Sequence, residues 1–455
     1  MDAGKEPLRL RSTAGLGIAA CLTLPAVALR VMGAEPSHLL TAVVFGTAIV
    51  GAAFLLSWAA ELAQLEISAS LAIGLLALVA VLPEYAVDFV FAFKGGEAVA
   101  AYGPSCLPPG GGESPCSLAL ANMTGANRLL IGVGWPLVVL VAWYRSRGQA
   151  RPSRAITLSS EHSVEVAFLA IATVYSLTLP FKSAITVIDT LVLVGIFVAY
   201  SLRIAKAPRG EPHLSGTTAA MAMLPRGLRR LATLAGFLYA GIVILLSAER
   251  FAEGLVATGQ EFGVNEFLLV QWIAPLASEA PELLIAVLFT WHLNSNAGLG
   301  TLLSSKVNQW TLLVGTLPLV FAVGGGGLGM PIDAQQRSEL LITAAQSFFA
   351  MAVLSSLSLS IREAWLLTGL FWGQFVIGAL VPADLGGVER TVVSVMYLVL
   401  GTVILARNRR VLPGLFIDGL RTSHGETRVD ASAPGNASAA PHSIRRQDHD
   451  TEVTG

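Results

Sequence analysis

Apolar residues run in long stretches separated by short polar connections, without the alternation of a half-buried strand or the single stripe of a surface helix. Stretches of about 20 apolar residues match the hydrocarbon thickness of a bilayer. They occupy residues 14–31, 38–62, 66–94, 118–144, 162–180, 184–204, 231–256, 264–291, 297–325, 338–359, 363–382 and 389–407. This predicts an all-α polytopic membrane protein of about twelve transmembrane helices, because helices satisfy their own backbone groups in lipid. The connections inside 162–204 and 338–382 are short enough for those pairs to be misdivided. The first run follows a basic arm, Met1 to Ser12, and contains Pro25. It is long for a cleaved signal and precedes further spans, so it reads as an anchor.

Composition agrees: 54% of residues are hydrophobic and 13% charged, with a mean hydropathy of +0.67, against roughly 25% charged in soluble domains. The net charge of −1 conceals an asymmetry. Arginines gather in the connection 145–161 (Arg145, Arg147, Arg151, Arg154), in 205–230 (Arg209, Arg226, Arg229, Arg230) and after the last run (Arg407, Arg409, Arg410). With about twelve spans and the basic arm inside, all three fall on the cytoplasmic face, as the positive-inside rule requires. Both termini are then cytoplasmic, in a multi-pass protein expected in the plasma membrane. The Gly/Pro-rich loop 95–117 falls outside, where Cys106 and Cys116 are either joined or two unpaired thiols. Nucleic acid is not an expected partner, and no Cys/His cluster suggests a cofactor.

The candidate chemistry lies inside the apolar runs. Pro275-Leu276-Ala277-Ser278-Glu279-Ala280-Pro281-Glu282 places two acids and a proline in one run, and Val79-Ala80-Val81-Leu82-Pro83-Glu84 with Asp88 repeats the arrangement. A proline withholds one backbone donor, so carbonyl and carboxylate oxygens collect where a hard cation would bind. Each copy is preceded by a helix ending Ala-Glu (Glu61, Glu249) and followed by a small, polar stretch, Ala121 to Arg128 and Gly300 to Asn308. The chain therefore divides into an arm and extra anchor helix (1–37), a first repeat (38–204), a basic cytoplasmic linker (205–230), a second repeat (231–382), a last transmembrane helix (383–412) and a disordered cytoplasmic tail (413–455). Each repeat is read as five helices, an odd number that makes the second enter the membrane from the opposite side, so the repeats are inverted and their Pro-Glu segments meet near the bilayer centre.

These motifs resemble the calcium/cation antiporter superfamily, which includes the sodium/calcium exchangers. Its repeats carry Gly-Thr-Ser-Leu-Pro-Glu followed by Gly-Asn-x-x-Gly-Ser-Asn. Here Val79 to Glu84 with Ala121 to Asn127, and Ala277 to Glu282 with Gly300 to Lys306, are similar, as is the lead-in Glu61 to Ser68. The resemblance implies that Glu84 and Glu282 are the paired ion-binding carboxylates. It gives Asn122 and Thr301 the place of the polar residue on the partner helices, and Ser278 and Ser305 the place of hydroxyl ligands.

Departures sharpen the expectation. Ala80-Val81 and Glu279 replace the family's hydroxyls, Asp88 lies one turn past Glu84, and Lys306 replaces an asparagine. Glu279 and Asp88 are read either as further ion ligands or as buried charge partners of Lys306 and Arg128. Lys306 is read as a fixed salt bridge or as a built-in cation. A third acid makes protons the expected counter-ion, because three carboxylates crowd more charge than one divalent cation neutralises. The resulting expectation is a secondary-active antiporter exchanging Ca2+ or a related cation against H+ or Na+ by alternating access, with inorganic cations and the bilayer as partners. The alternative is a non-transporting binding or regulatory protein that keeps the exchanger fold. No nucleophile with a base, phosphate loop or resident-metal motif marks an enzyme. Oligomeric state is not legible.

Overall fold

The computed structural model describes residues 6–63, 65, 82–107, 114–148, 153–206, 216–381 and 386–421. The chain folds as α1 (Glu6–Met32), α2 (His38–Ala63), α3 (Leu82–Tyr102), α4 (Pro115–Leu129), which passes through a π turn (Leu130–Gly134) into α5 (Trp135–Ser146), then β1 (Ala155–Thr157) and α6 (Ser163–Ser176). It continues through β2 (Ala184–Thr186), α7 (Val187–Ile204), α8 (Gly216–Ala222), α9 (Arg226–Phe262), α10 (Glu266–Ser278) and α11 (Ala280–Trp291). Next come α12 (Ser295–Asn308) with a π turn (Gln309–Leu313), α13 (Val314–Val323), β3 (Gly329–Pro331), α14 (Ala334–Leu354), β4 (Ser358–Ser360), α15 (Ile361–Leu380), α16 (Gly386–Asn408) and α17 (Leu412–Leu420).

Helices stand at every predicted span, with 66–94 described only from Leu82 onward. By length and hydropathy alone, seven of the described helices can cross a membrane, or eight if the bent pair α10/α11 is one span. Several boundaries differ from expectation. α1 absorbs part of the basic arm, and α3 runs to Tyr102, so much of the loop 95–117 is helical. The linker 205–230 holds α8, and Arg226, Arg229 and Arg230 open α9 instead of preceding it. The tail 413–455 begins as α17, where Arg203 donates to the carbonyls of Asp418 and Gly419. The rest of the tail lies outside the described residues. Cys106 and Cys116 are joined as a disulfide, Cα atoms 6.1 Å apart.

The divisions inside 162–204 and 338–382 are real, and each is marked by a strand the apolar pattern did not reveal. β1 pairs antiparallel with β4 (Ile156 opposite Leu359), and β2 with β3 (Ile185 opposite Met330). The last residues of β2 and β4 also cap the next helices: Thr186 with Asp189, and Ser360 with Glu363, form reciprocal capping boxes, which satisfy otherwise orphaned backbone donors.

Glycines permit the closest helix approaches. A Cβ on Gly125 of α4 would fall 1.7 Å from the carbonyl oxygen of Gln271 in α10. At the α3/α13 crossing a Cβ on Gly96 would meet the Phe321 carbonyl at 2.2 Å. These approaches bring α4 against α10 and α3 against α13.

Candidate cation site

Glu282 lies in the first turn of α11, where the exposed N–H ends of a helix favour an acid, and Glu84 lies in α3, two residues after its first described residue, Leu82. Pro281 suits the start of α11 because its missing N–H falls where no intrahelical partner exists. Glu279 occupies the break itself, with φ −91° and ψ −8°, at a bend of 49° between α10 and the following helix.

The partner helices supply amides. The Gln309 side-chain nitrogen donates to Oε1 of Glu279 at 2.6 Å and to Oε1 of Glu84 at 3.1 Å, and the two carboxyl groups touch each other as well. Asn122 donates to Oδ1 of Asp88 at 2.8 Å. Glu282 lies within electrostatic reach of both Glu84 and Glu279. The Tyr85 hydroxyl donates to Oδ1 of Asn308 at 3.1 Å, tying α3 to α12. Glu84, Asp88, Glu279, Glu282 and Gln309 are all buried.

Polar oxygens remain unsatisfied there. Among the described residues, Asp88 Oδ2, Asn122 Oδ1, Glu279 Oε2, Glu282 Oε2 and Gln309 Oε1 have no hydrogen-bond partner. A buried polar atom left unpaired costs about 1–3 kcal/mol, and more for a charged group. A cluster of such oxygens needs a cation or protons to neutralise it. The acids do not close around one point: among the described residues no three His, Cys, Asp or Glu side chains form a metal cage, and the Gln309 amide is shared by Glu84 and Glu279.

Other predicted residues are less involved. Ser278 and Thr301 donate to carbonyl oxygens of their own helices, Ala274 and Ala297, at 3.2 and 2.9 Å. Ser305 is buried and its hydroxyl has no partner. The charge pairing differs from expectation. Arg128 pairs with Glu339 of α14 at 2.9 Å, not with Asp88 or Glu279, bonds Gln374 of α15, and lies 5.1 Å from the Trp272 ring centre. Glu339 also receives Arg390 of α16 at 2.7 Å and Gln271 at 2.9 Å. Lys306 forms no salt bridge among the described residues; its Nζ donates to the main-chain and side-chain oxygens of Asn127 at 2.6 and 2.7 Å. Each of these acids finds its neighbour on another helix, and the rotation of that helix is not written in the spacing of the segment.

Gln309 is the central residue that sequence reasoning missed. An amide inside the predicted span 297–325, directly before Trp310, was the available signal, since polar groups at membrane depth are functional by default.

The family model described as sodium/calcium exchanger protein matches residues 37–205 and 232–381. No curated protein sequence matches the chain significantly. Among solved structures, an H+/Ca2+ exchanger, CAX, is 39% identical, with a TM-score of 0.81 over 90% of this chain and 97% of its own. A selenium-substituted Ca2+/H+ antiporter, YfkE, shares the fold at 13% identity, with a TM-score of 0.54 over 87% of this chain and all of its own.

Proposed function

Because the chain belongs to the sodium/calcium exchanger family of membrane cation antiporters, we propose that it exchanges Ca2+ for protons at the cluster formed by Glu84, Asp88, Glu279 and Glu282. The observation that carries this reading is the set of unpartnered buried oxygens on Asp88, Glu279, Glu282, Asn122 and Gln309 beside Glu84. Calcium takes six to eight oxygens at roughly 2.3–2.6 Å and favours carboxylates with neutral carbonyl oxygens. When it leaves, four buried acids cannot all remain charged in a low dielectric, and protons are the smallest replacement. Further support is the 39% identity with a structure whose name specifies H+/Ca2+ exchange.

Alternating access follows from two inverted five-helix repeats, 38–204 and 231–382, whose Pro-Glu helices run in opposite directions. The arginine-rich connections set both termini in the cytoplasm, and the plasma membrane is the expected location.

The test is Ca2+ flux into proteoliposomes under an imposed pH gradient in sodium-free buffer. Saturable uptake that collapses when a protonophore is added is the expected result. Wild-type protein with no Ca2+ flux under pH or sodium gradients would overturn transport in favour of a binding role; flux that follows only sodium would overturn the proton.

A further inference from the structure

Lys306 holds in α12 the place that Asn127 holds in α4: the two are separated by 179 residues, and each precedes by one turn the π turn of its helix, at Leu130 and Gln309. Asparagine at such a place offers an acceptor, whereas lysine offers only donors. The Lys306 side chain is fully buried. Its Nζ rests on two oxygens of one residue, the Asn127 carbonyl and side-chain amide, and lies 5.6 Å from the centre of the Trp310 ring. The negative potential of Glu279 and Glu84 falls on the same point.

Neutral carbonyl oxygens are the groups that replace the hydration shell of an alkali cation. An aromatic face and nearby carboxylates favour positive charge further. The Nζ atom therefore sits where a dehydrated monovalent cation would find oxygen ligands, beside the divalent site. We propose that the Lys306 side chain is a tethered occupant of a monovalent-cation site, and that it keeps sodium out of the transport cycle. The proposal rests on the Ca2+/proton reading and adds the residue that decides against sodium. Lys306→Asn removes the tether and places the same oxygen-bearing residue on both helices.

The experiment uses the full chain and two measurements. Binding of radiolabelled sodium to detergent-solubilised protein is compared between wild type and K306N, and Ca2+ flux driven by a sodium gradient at fixed pH is compared in proteoliposomes. Wild type is expected to show neither; K306N is expected to gain saturable sodium binding and sodium-driven flux. Saturable sodium binding by wild type overturns the proposal, and so does monodisperse K306N that binds none. If K306N is not monodisperse, K306S takes its place with the same criteria. Proton-driven flux of wild type in the same vesicles judges the exchange reading separately, because sodium binding needs no transport.

Discussion

Gln309 and Glu279 face each other across 2.6 Å, the amide donating to the carboxylate, and the same nitrogen reaches Glu84 on the opposing helix. One neutral side chain thus donates to two acids at once. Replacing Gln309 with leucine is expected to destabilise the protein by about 1–3 kcal/mol, the cost of stranding buried acceptors, and to lower the Ca2+ flux. Thermal unfolding in detergent and initial uptake rates check the two halves of this statement. A variant with wild-type stability and flux would remove Gln309 from the site.

Glu84 and Glu282 are expected to be individually indispensable. E84Q and E282Q keep the shape of the side chain and remove one charge each, so the folded protein should persist while Ca2+ uptake falls to the level of empty vesicles. Wild-type uptake by either variant would contradict a shared central site.

The pH dependence has a definite sign. Protons and Ca2+ compete for the same carboxylates, so apparent Ca2+ affinity should fall as pH falls. Glu279→Ser removes one competing group and restores a hydroxyl, and the apparent affinity should then change less steeply with pH. Ca2+ titrations of uptake at several symmetrical pH values measure the slope. An unchanged slope would exclude Glu279 from proton exchange.

Apolar run length located the helices, and the paired Pro-Glu segments located the acids, because both are properties of a single stretch of chain. What the chain could not display was which acid faces which base. Arg128 lies within two helical turns of Asn122, which binds Asp88, yet its guanidinium turns to Glu339. That choice depends on the rotation of α4 against α14. The strands were hidden for another reason: three-residue segments such as Ala155-Ile156-Thr157 are too short to show a period.

Glu339, buried, accepts from both Arg128 and Arg390. Truncating Arg390 to methionine leaves one oxygen of the buried Glu339 carboxylate without its partner, and stranding a buried acceptor costs about 1–3 kcal/mol. R390M is therefore expected to unfold at lower temperature, and E339Q combined with R390M should cost less than the two single changes together. Additive losses would show that the two side chains are energetically independent.

Membrane orientation is tested with cysteines introduced at positions 150 and 215. An impermeant thiol reagent applied to intact cells should leave both unlabelled and label them after permeabilisation. Labelling in intact cells would reverse the inferred topology.

Each two-stranded ribbon takes one strand from either side of the linker: β1 with β4, and β2 with β3. During synthesis the first part of the chain therefore emerges with two short edges whose complements have not yet been made. It is a waiting half-structure, dependent on its own continuation for closure, and the order of translation becomes part of how the transporter is assembled. Two fragments split within residues 207–215 should accordingly be recovered together or hardly at all.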